Sequence, residues 1–122
     1  MLKILLIDDD PDVRTVMRLL LQKQGFGVET ASCREDAMAM LQRDLPGLIL
    51  LDVLLSGADG RELCRELKAG ERTRDIPVII VSGHPGAAVQ FEACGADDFL
   101  SKLINTDLLL QKLHQQAKLV RE

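Results

Sequence analysis

Short apolar runs punctuate this chain and give way to polar groups, twice an acid, then a hydroxyl and a lysine. Ile4-Leu5-Leu6-Ile7 is followed by Asp8, Asp9 and Asp10, and Leu48-Ile49-Leu50-Leu51 by Asp52. Val78-Ile79-Ile80-Val81 ends in Ser82, and Phe99-Leu100-Ser101 in Lys102. Short unbroken runs of this kind fit strands covered on both faces. Between them the period changes. After Pro11, tolerated in a first helical turn, Val13, Val16, Met17 and Leu20 recur at i, i+3, i+4 and i+7. This predicts a helix stopped by Gly25 and Gly27, then a second strand over 28–31. Ser32 or Cys33 opens a second helix with Ala37, Met38 and Leu41 inward, ending before Pro46-Gly47. A third helix, from about 60 to 68, turns Leu63, Cys64 and Leu67 inward, with Gly70 beyond. Residues 86–93 predict a short fourth helix, with a weak pattern. Asn105-Thr106-Asp107 supplies N-cap chemistry for a last one striped by Leu109, Leu110, Leu113 and Ala117.

Five βα units in one chain predict an α/β fold, a doubly wound five-stranded parallel sheet flanked by five helices. The first, third and fourth strands are wholly apolar and belong inside. The second, Val28-Glu29-Thr30-Ala31, and the fifth, Asp97-Asp98-Phe99-Leu100, carry polar residues and suit edges. The order 2-1-3-4-5 satisfies both conditions and reverses the chain between strands one and three. Open α/β sheets bind ligands at the C-terminal strand ends beside such a reversal. There the crevice would be flanked by Asp8, Asp9 and Asp52. We expect one domain over residues 1–122, with no internal repeat, linker or low-complexity segment.

Composition narrows the function classes. The chain is 47% hydrophobic and 28% charged, ordinary for a globular domain, and Phe26, Phe91 and Phe99 are its aromatics, so the core is aliphatic. A net charge of −4 opposes direct nucleic-acid binding, which draws on Lys and Arg against phosphates. No apolar run approaches the ~18 residues of a membrane span. The first run meets acids with no small-residue cleavage site, so no signal peptide is expected. Cys33, Cys64 and Cys94 are odd in number and about thirty residues apart, which suits reduced thiols rather than a disulfide or metal set. A cytoplasmic location follows as the expectation.

Clustered carboxylates repel one another and need a compensating charge. A divalent cation supplies it, and Mg²⁺ favours a few carboxylates together with water and phosphate oxygens. Lys102 adds a further positive charge, and Ser82 a hydroxyl. Gly83 is small enough to let a backbone N–H approach a phosphoryl oxygen. Together these groups suit a phosphoryl group arriving on a carboxylate, a step that asks mainly for positioning and charge neutralisation.

At this point the chain resembles the receiver domain of two-component response regulators, in the CheY-like, flavodoxin-like superfamily. The resemblance covers essentially the whole chain and rests on KILLIDDDP, LILLDVLLSGADG, VIIVSG and GADDFLSK, in that order and at that spacing. It implies that Asp52 is the phosphoacceptor and that Asp8, Asp9 and Asp52 hold Mg²⁺, Asp9 directly and Asp8 through water. It further implies that the main-chain carbonyl of Leu54 is a metal ligand, Ser82 the switch hydroxyl, Lys102 its cationic partner and Phe99 the switch aromatic. Asp59-Gly60 matches the turn into the third helix. The implied donor is a sensor histidine kinase or histidine phosphotransfer protein. The implied output runs through the face of helix four, strand five and helix five, to an effector or through a homodimer. Only self-phosphorylation and self-dephosphorylation chemistry is implied, not an enzyme's activity on a substrate. With no effector after Glu122, a stand-alone receiver or the first piece of a longer protein is expected.

Three positions depart from the family's pattern. Leu103 stands where proline usually follows the lysine with a cis bond, and a non-proline cis bond costs roughly 2.5–4 kcal/mol. Ser56 replaces a common proline, and Phe99 lacks the hydroxyl many relatives carry there. Two other functions share the raw material. One is an interaction module that keeps the fold without cycling phosphate. The other is a phosphatase of the haloacid dehalogenase type, with Asp8 of Asp8-Asp9-Asp10 as nucleophile. Asp12 occupies a position where that family expects Thr or Val, and 122 residues leave no room for a substrate cap. Several groups also have plain structural readings. Asp8-Asp9 alone would cap a helix, Asp97-Asp98 would solubilise an edge, and Phe99 would pack on one. His84 would be a solvated loop residue and His114 an exposed helical one. The leucines 108–110 exceed what one helix face buries and fit either extra core or a partner surface.

Overall fold

Alternation along the central strands decides the architecture. In a computed structural model of the chain, residues 2–55, 58–82, 94–101 and 115 are described, with main chain alone at Leu54, Leu55, Ala58, Ser82 and Ser101. Strand β1 (Lys3–Ile7) points Leu5 and Ile7 to one side of the sheet and Ile4 and Leu6 to the other. β3 (Leu48–Asp52) and β6 (Val78–Ser82) divide in the same way. Ile4, Ile7, Leu48 to Leu51 and Val78 to Ile80 are fully buried. Each such side chain contributes roughly 1.5–3 kcal/mol relative to exposure.

The five-stranded sheet is parallel, in the order β2-β1-β3-β6-β7, with β2 (Gly27–Ala31) and β7 (Asp98–Ser101) at its edges. Numbered among its own strands this is 2-1-3-4-5, as the patterning predicts. Met17 and Leu21 of helix α1 (Pro11–Lys23) cover one face. Ala37 and Leu41 of α2 (Arg34–Arg43) and Leu63, Cys64 and Leu67 of α3 (Gly60–Ala69) cover the other. The expected helices over 86–93 and after 105 lie outside the described residues.

Helix ends follow capping chemistry. Asp10 caps α1, its Oδ1 accepting from the Asp12 N–H at 2.9 Å. At the other end Gly25 takes φ +94°. Its N–H donates to the Gln22 carbonyl and that of Phe26 to the Leu21 carbonyl. Two such bonds closing on a left-handed glycine satisfy the last carbonyls and bring buried Phe26 onto the core beside Leu21. Arg34 and Glu66 pair across α2 and α3.

Four sequence expectations need correction, and one contact between free cysteines adds to them without correcting any. Val16, placed inward by the stripe, is 60% exposed, because α1 docks on Val13, Met17 and Leu21, leaving Val16 about a quarter-turn off the contact face. The fifth strand starts one residue late. Asp97 does not merely solubilise the edge: its Oδ2 accepts from the Val78 N–H and from Lys68 Nζ, each at 2.8 Å. Cys64 and Cys94, distant in sequence, meet in the core. Burial first and the Cys94 thiol second push the Cys64 thiol up to about 12, which keeps it protonated and inert. Finally, β4 (Leu54–Leu55) and β5 (Ala58–Asp59) pair antiparallel in a hairpin just beyond Asp52 that the patterning did not announce.

Candidate functional site

Parity and register bring the acids together before any special interaction is needed. Ile4, Leu6 and then Asp8 follow one face of β1, and Leu48, Leu50 and Asp52 the same face of β3. Ile4 pairs with Leu48 and Leu6 with Leu50, so the next step along both rows sets Asp8 beside Asp52. Asp9 joins them from the turn. One carboxylate oxygen from each of Asp8, Asp9 and Asp52 lies within 4.8 Å of the others. Asp8 is 1% exposed, Asp52 3%, and Asp9 half-buried.

The β1–α1 loop is held firmly. The Asp8 N–H extends the ladder to the Ala31 carbonyl at 3.0 Å, and Asp8 Oδ1 accepts from the Asp10 N–H at 2.9 Å. Arg14 Nη1 donates to the Asp8 carbonyl at 2.7 Å. The three successive acids thus divide their labour. Asp10, exposed, caps the helix, while Asp8 and Asp9 turn to the cluster; the capping role conceivable for Asp8-Asp9 falls to their neighbour.

The donor set is all oxygen, with carboxylates held close enough to repel strongly. Two unit charges about 4 Å apart interact by about 4 kcal/mol at an effective dielectric near 20. Such a set fits a hard divalent cation of the size and preference of Mg²⁺.

Beyond Asp52 the chain passes through Val53 into the β4–β5 hairpin. The Gly60 N–H donates back to the Val53 carbonyl at 2.6 Å. A Cβ on Gly60 would stand 2.0 Å from the Asp52 carbonyl oxygen, so the first turn of α3 rests on the main chain of the central acid. Asp59 caps that helix by accepting from the Arg61 N–H at 2.9 Å, and the Arg61 guanidinium pairs with it at 3.0 Å. The Arg61 hydrogen bond is the main cause holding the Asp59 carboxyl below its usual range. A depressed folded value stabilises above the unfolded one and is lost as pH falls through the folded one. Asp59→Asn keeps a capping oxygen, so it isolates the charge. We expect the variant to melt slightly below wild type at pH 7, within a few degrees because the pair is solvent-screened. The gap should close on acidification below pH 4; a constant gap in melting scans from pH 7 to 3 would remove the assignment.

Ser82 ends β6, paired with Ser101 of β7, while its neighbour Val81 pairs with Asp52. Phe99, on β7, is half-buried against the core that α2 and α3 cover, as edge packing requires. Leu54 opens the hairpin two residues after Asp52. Ser56, Gly83, His84, Lys102, Leu103 and His114 lie outside the described residues. Sequence reasoning overlooked Arg14. Its signal was a cation one turn into a helix entered through three acids, where reach back to the loop is short.

Comparison with known proteins agrees with this geometry. The family model described as response regulator receiver domain matches residues 4–114. The chain is 38% identical over 109 residues to the transcriptional regulatory protein AfsQ1 of Streptomyces coelicolor, covering 87% of this chain and 47% of that protein. It is 39% identical over 119 residues to the response regulator PleD of Caulobacter vibrioides, covering 95% of this chain and 26% of that one. The chain therefore spans half or less of these curated relatives. Its fold superposes on the crystal structure of a putative response regulator from Chloroflexus aurantiacus with a TM-score of 0.91 and 28% identity, covering 96% of this chain and 98% of that one. No helix among the described residues is long and apolar enough to cross a membrane.

Proposed function

Since this chain belongs to the response regulator receiver domain family of two-component systems, we propose that it is a signalling switch thrown by phosphorylation of Asp52. The observation that carries the reading is the convergence of Asp8, Asp9 and Asp52 at the ends of two neighbouring strands. Asp52 is buried at the reversal of strand order and pairs with Val81 of β6, and the next residue, Val53, donates to the Val81 carbonyl and accepts from the Gly60 N–H. A carboxylate oxygen of Asp52 forms the new P–O bond while the P–N bond to a donor's phosphohistidine breaks, and the imidazole leaves with the electron pair. Asp8, Asp9, Asp52 and the Leu54 carbonyl would hold Mg²⁺, which when bound neutralises charge on the transferring phosphoryl oxygens.

Phosphorylation adds about −1.5 to −2 charge at Asp52. Ser82, the Gly83 N–H and Lys102 would take up the new oxygens, and Phe99 would respond on β7. The change would reach the surface formed by the fourth helix, β7 and the last helix, and from there an effector or a second copy. Residues 1–122 act as one cytoplasmic receiver domain in this reading, served by a sensor histidine kinase or histidine phosphotransfer protein.

Asp10 weighs against a haloacid dehalogenase-type phosphatase. That chemistry needs the second acid of the D-x-D pair, Asp10, in the site, whereas Asp10 is exposed and occupied in capping α1. Phosphorylation with a small phosphodonor and Mg²⁺, followed by borohydride trapping and peptide mass spectrometry, tests the assignment. We expect the label at Asp52, abolished by EDTA. Label at Asp8 would favour the phosphatase, and no label at all the non-cycling module.

A further inference from the structure

We propose that Arg14 is a positioning residue for the acidic cluster, setting its affinity for a divalent cation without touching the ion. The inference rests on the reading of Asp8, Asp9 and Asp52 as a Mg²⁺ site. Its basis is geometric. The Asp8 peptide lies beyond the last strand pair of β1 and β3, so its carbonyl has left the ladder between them. Arg14 Nη1 takes that carbonyl at 2.7 Å, while the Asp8 N–H is bonded to Ala31 on the other side. Holding both ends of this segment fixes the direction in which the chain leaves β1. That direction decides whether Asp9, which lies in no strand, faces the cluster.

Half-buried Arg14 also places a permanent cation against the main chain of one of the three acids, because arginine does not deprotonate in proteins. The two effects have opposite signs for metal binding. As a charge alone, Arg14 repels a divalent cation, and its removal should tighten binding. As a clamp, it keeps three oxygens convergent, and its removal should loosen binding. Groups that orient ligating side chains are typically worth 10–100-fold in metal affinity, more than one partly screened charge usually contributes. The clamp is therefore expected to prevail.

The decisive measurement is Mg²⁺ binding to the full chain by isothermal titration, comparing wild type with Arg14→Met and Arg14→Lys. Arg14→Met should bind about tenfold more weakly, and Arg14→Lys, which keeps a donor within partial reach, should fall between. The Asp10 amide, which donates to Asp8 Oδ1, should exchange at least about tenfold faster in metal-free Arg14→Met. Phosphoryl incorporation should return close to the wild-type rate at saturating Mg²⁺, as a role in geometry rather than in bond-making requires. Arg14→Met binding Mg²⁺ as tightly as wild type, or more tightly, overturns the proposal and leaves the acidic site standing. Wild-type binding that survives Asp9→Asn overturns the site reading, and the proposal with it.

Discussion

Asp52→Asn loses phosphoryl incorporation to background yet melts higher than wild type when Mg²⁺ is absent. Both halves follow from one geometry. The amide nitrogen and oxygen that replace the carboxylate are poor nucleophiles, so no acyl phosphate forms. The fold itself loses little, because Asn matches Asp in size and remains able to hydrogen-bond. What changes is repulsion: one of three acids within 4.8 Å, and one that is 3% exposed, becomes neutral. Relief of that repulsion raises metal-free stability, by an amount of about 1–2 kcal/mol if the effective dielectric is near that of other partly buried pairs. Mg²⁺ should then stabilise the variant much less than wild type, since ligand stabilisation scales with ln(1 + [L]/Kd) and the site has exchanged a charged ligand for a neutral one. Melting scans with and without Mg²⁺, beside labelling from a small phosphodonor, give all three readouts. Undiminished labelling would remove Asp52 as phosphoacceptor. An unchanged metal-free melting temperature would instead mean that the acids are not coupled as their spacing implies.

Gly60→Ala destabilises the protein and slows phosphorylation, although helix propensity alone argues the reverse. In an exposed helix interior alanine is better than glycine by about 1 kcal/mol. Here the methyl would stand 2.0 Å from the Asp52 carbonyl oxygen and 2.9 Å from the Val53 Cα, both main-chain atoms that no rotamer change can move aside. Either α3 lifts off the sheet or the Asp52–Val53 peptide shifts. Lifting α3 strains the packing of Leu63, Cys64 and Leu67, and moving the peptide re-aims the Asp52 carboxylate. Overpacking of this kind costs about 1–3 kcal/mol, a fall in melting temperature on the order of 10 °C at this size. Because the strained peptide carries the central acid, the rate of phosphoryl incorporation should fall as well, under conditions where the variant is still folded. A variant that melts at or above wild type would show that the first turn of α3 does not rest on Asp52.

The contrast between Gly60 and Gly25 shows how unevenly the structure could be read from sequence. Gly25 announces itself by ending an amphipathic stripe, and its left-handed φ is the local reason. Gly60 is marked only by the resemblance, as part of the turn into the third helix, which does not say why a glycine is needed there. Its requirement comes from a carbonyl that arrives through the sheet, eight residues earlier in the chain. Arg14 and the Cys64–Cys94 contact are of the same kind. Each depends on where a loop or a helix comes to rest against another element, which periodicity does not encode. Asp97 misled for a related reason: an acid before an edge strand looks like a solubilising group until the Val78 amide and Lys68 are found beside it.

The five strands of the parallel sheet, the first three helices, the sheet order and the identity of the converging acids were legible in the sequence alone. Apolar runs and stripes are local, and a two-residue period leaves only one face for each side chain once both sides of the sheet must be covered. The parity that buries Ile4, Leu6, Leu48 and Leu50 under α1 also sends Asp8 and Asp52 to the same side. The tertiary structure alone decided how those acids are held: by Arg14 on the Asp8 carbonyl and by α3 seated on the Asp52 main chain. These contacts join main-chain atoms to distant residues, and a backbone carbonyl looks the same at every position of a sequence.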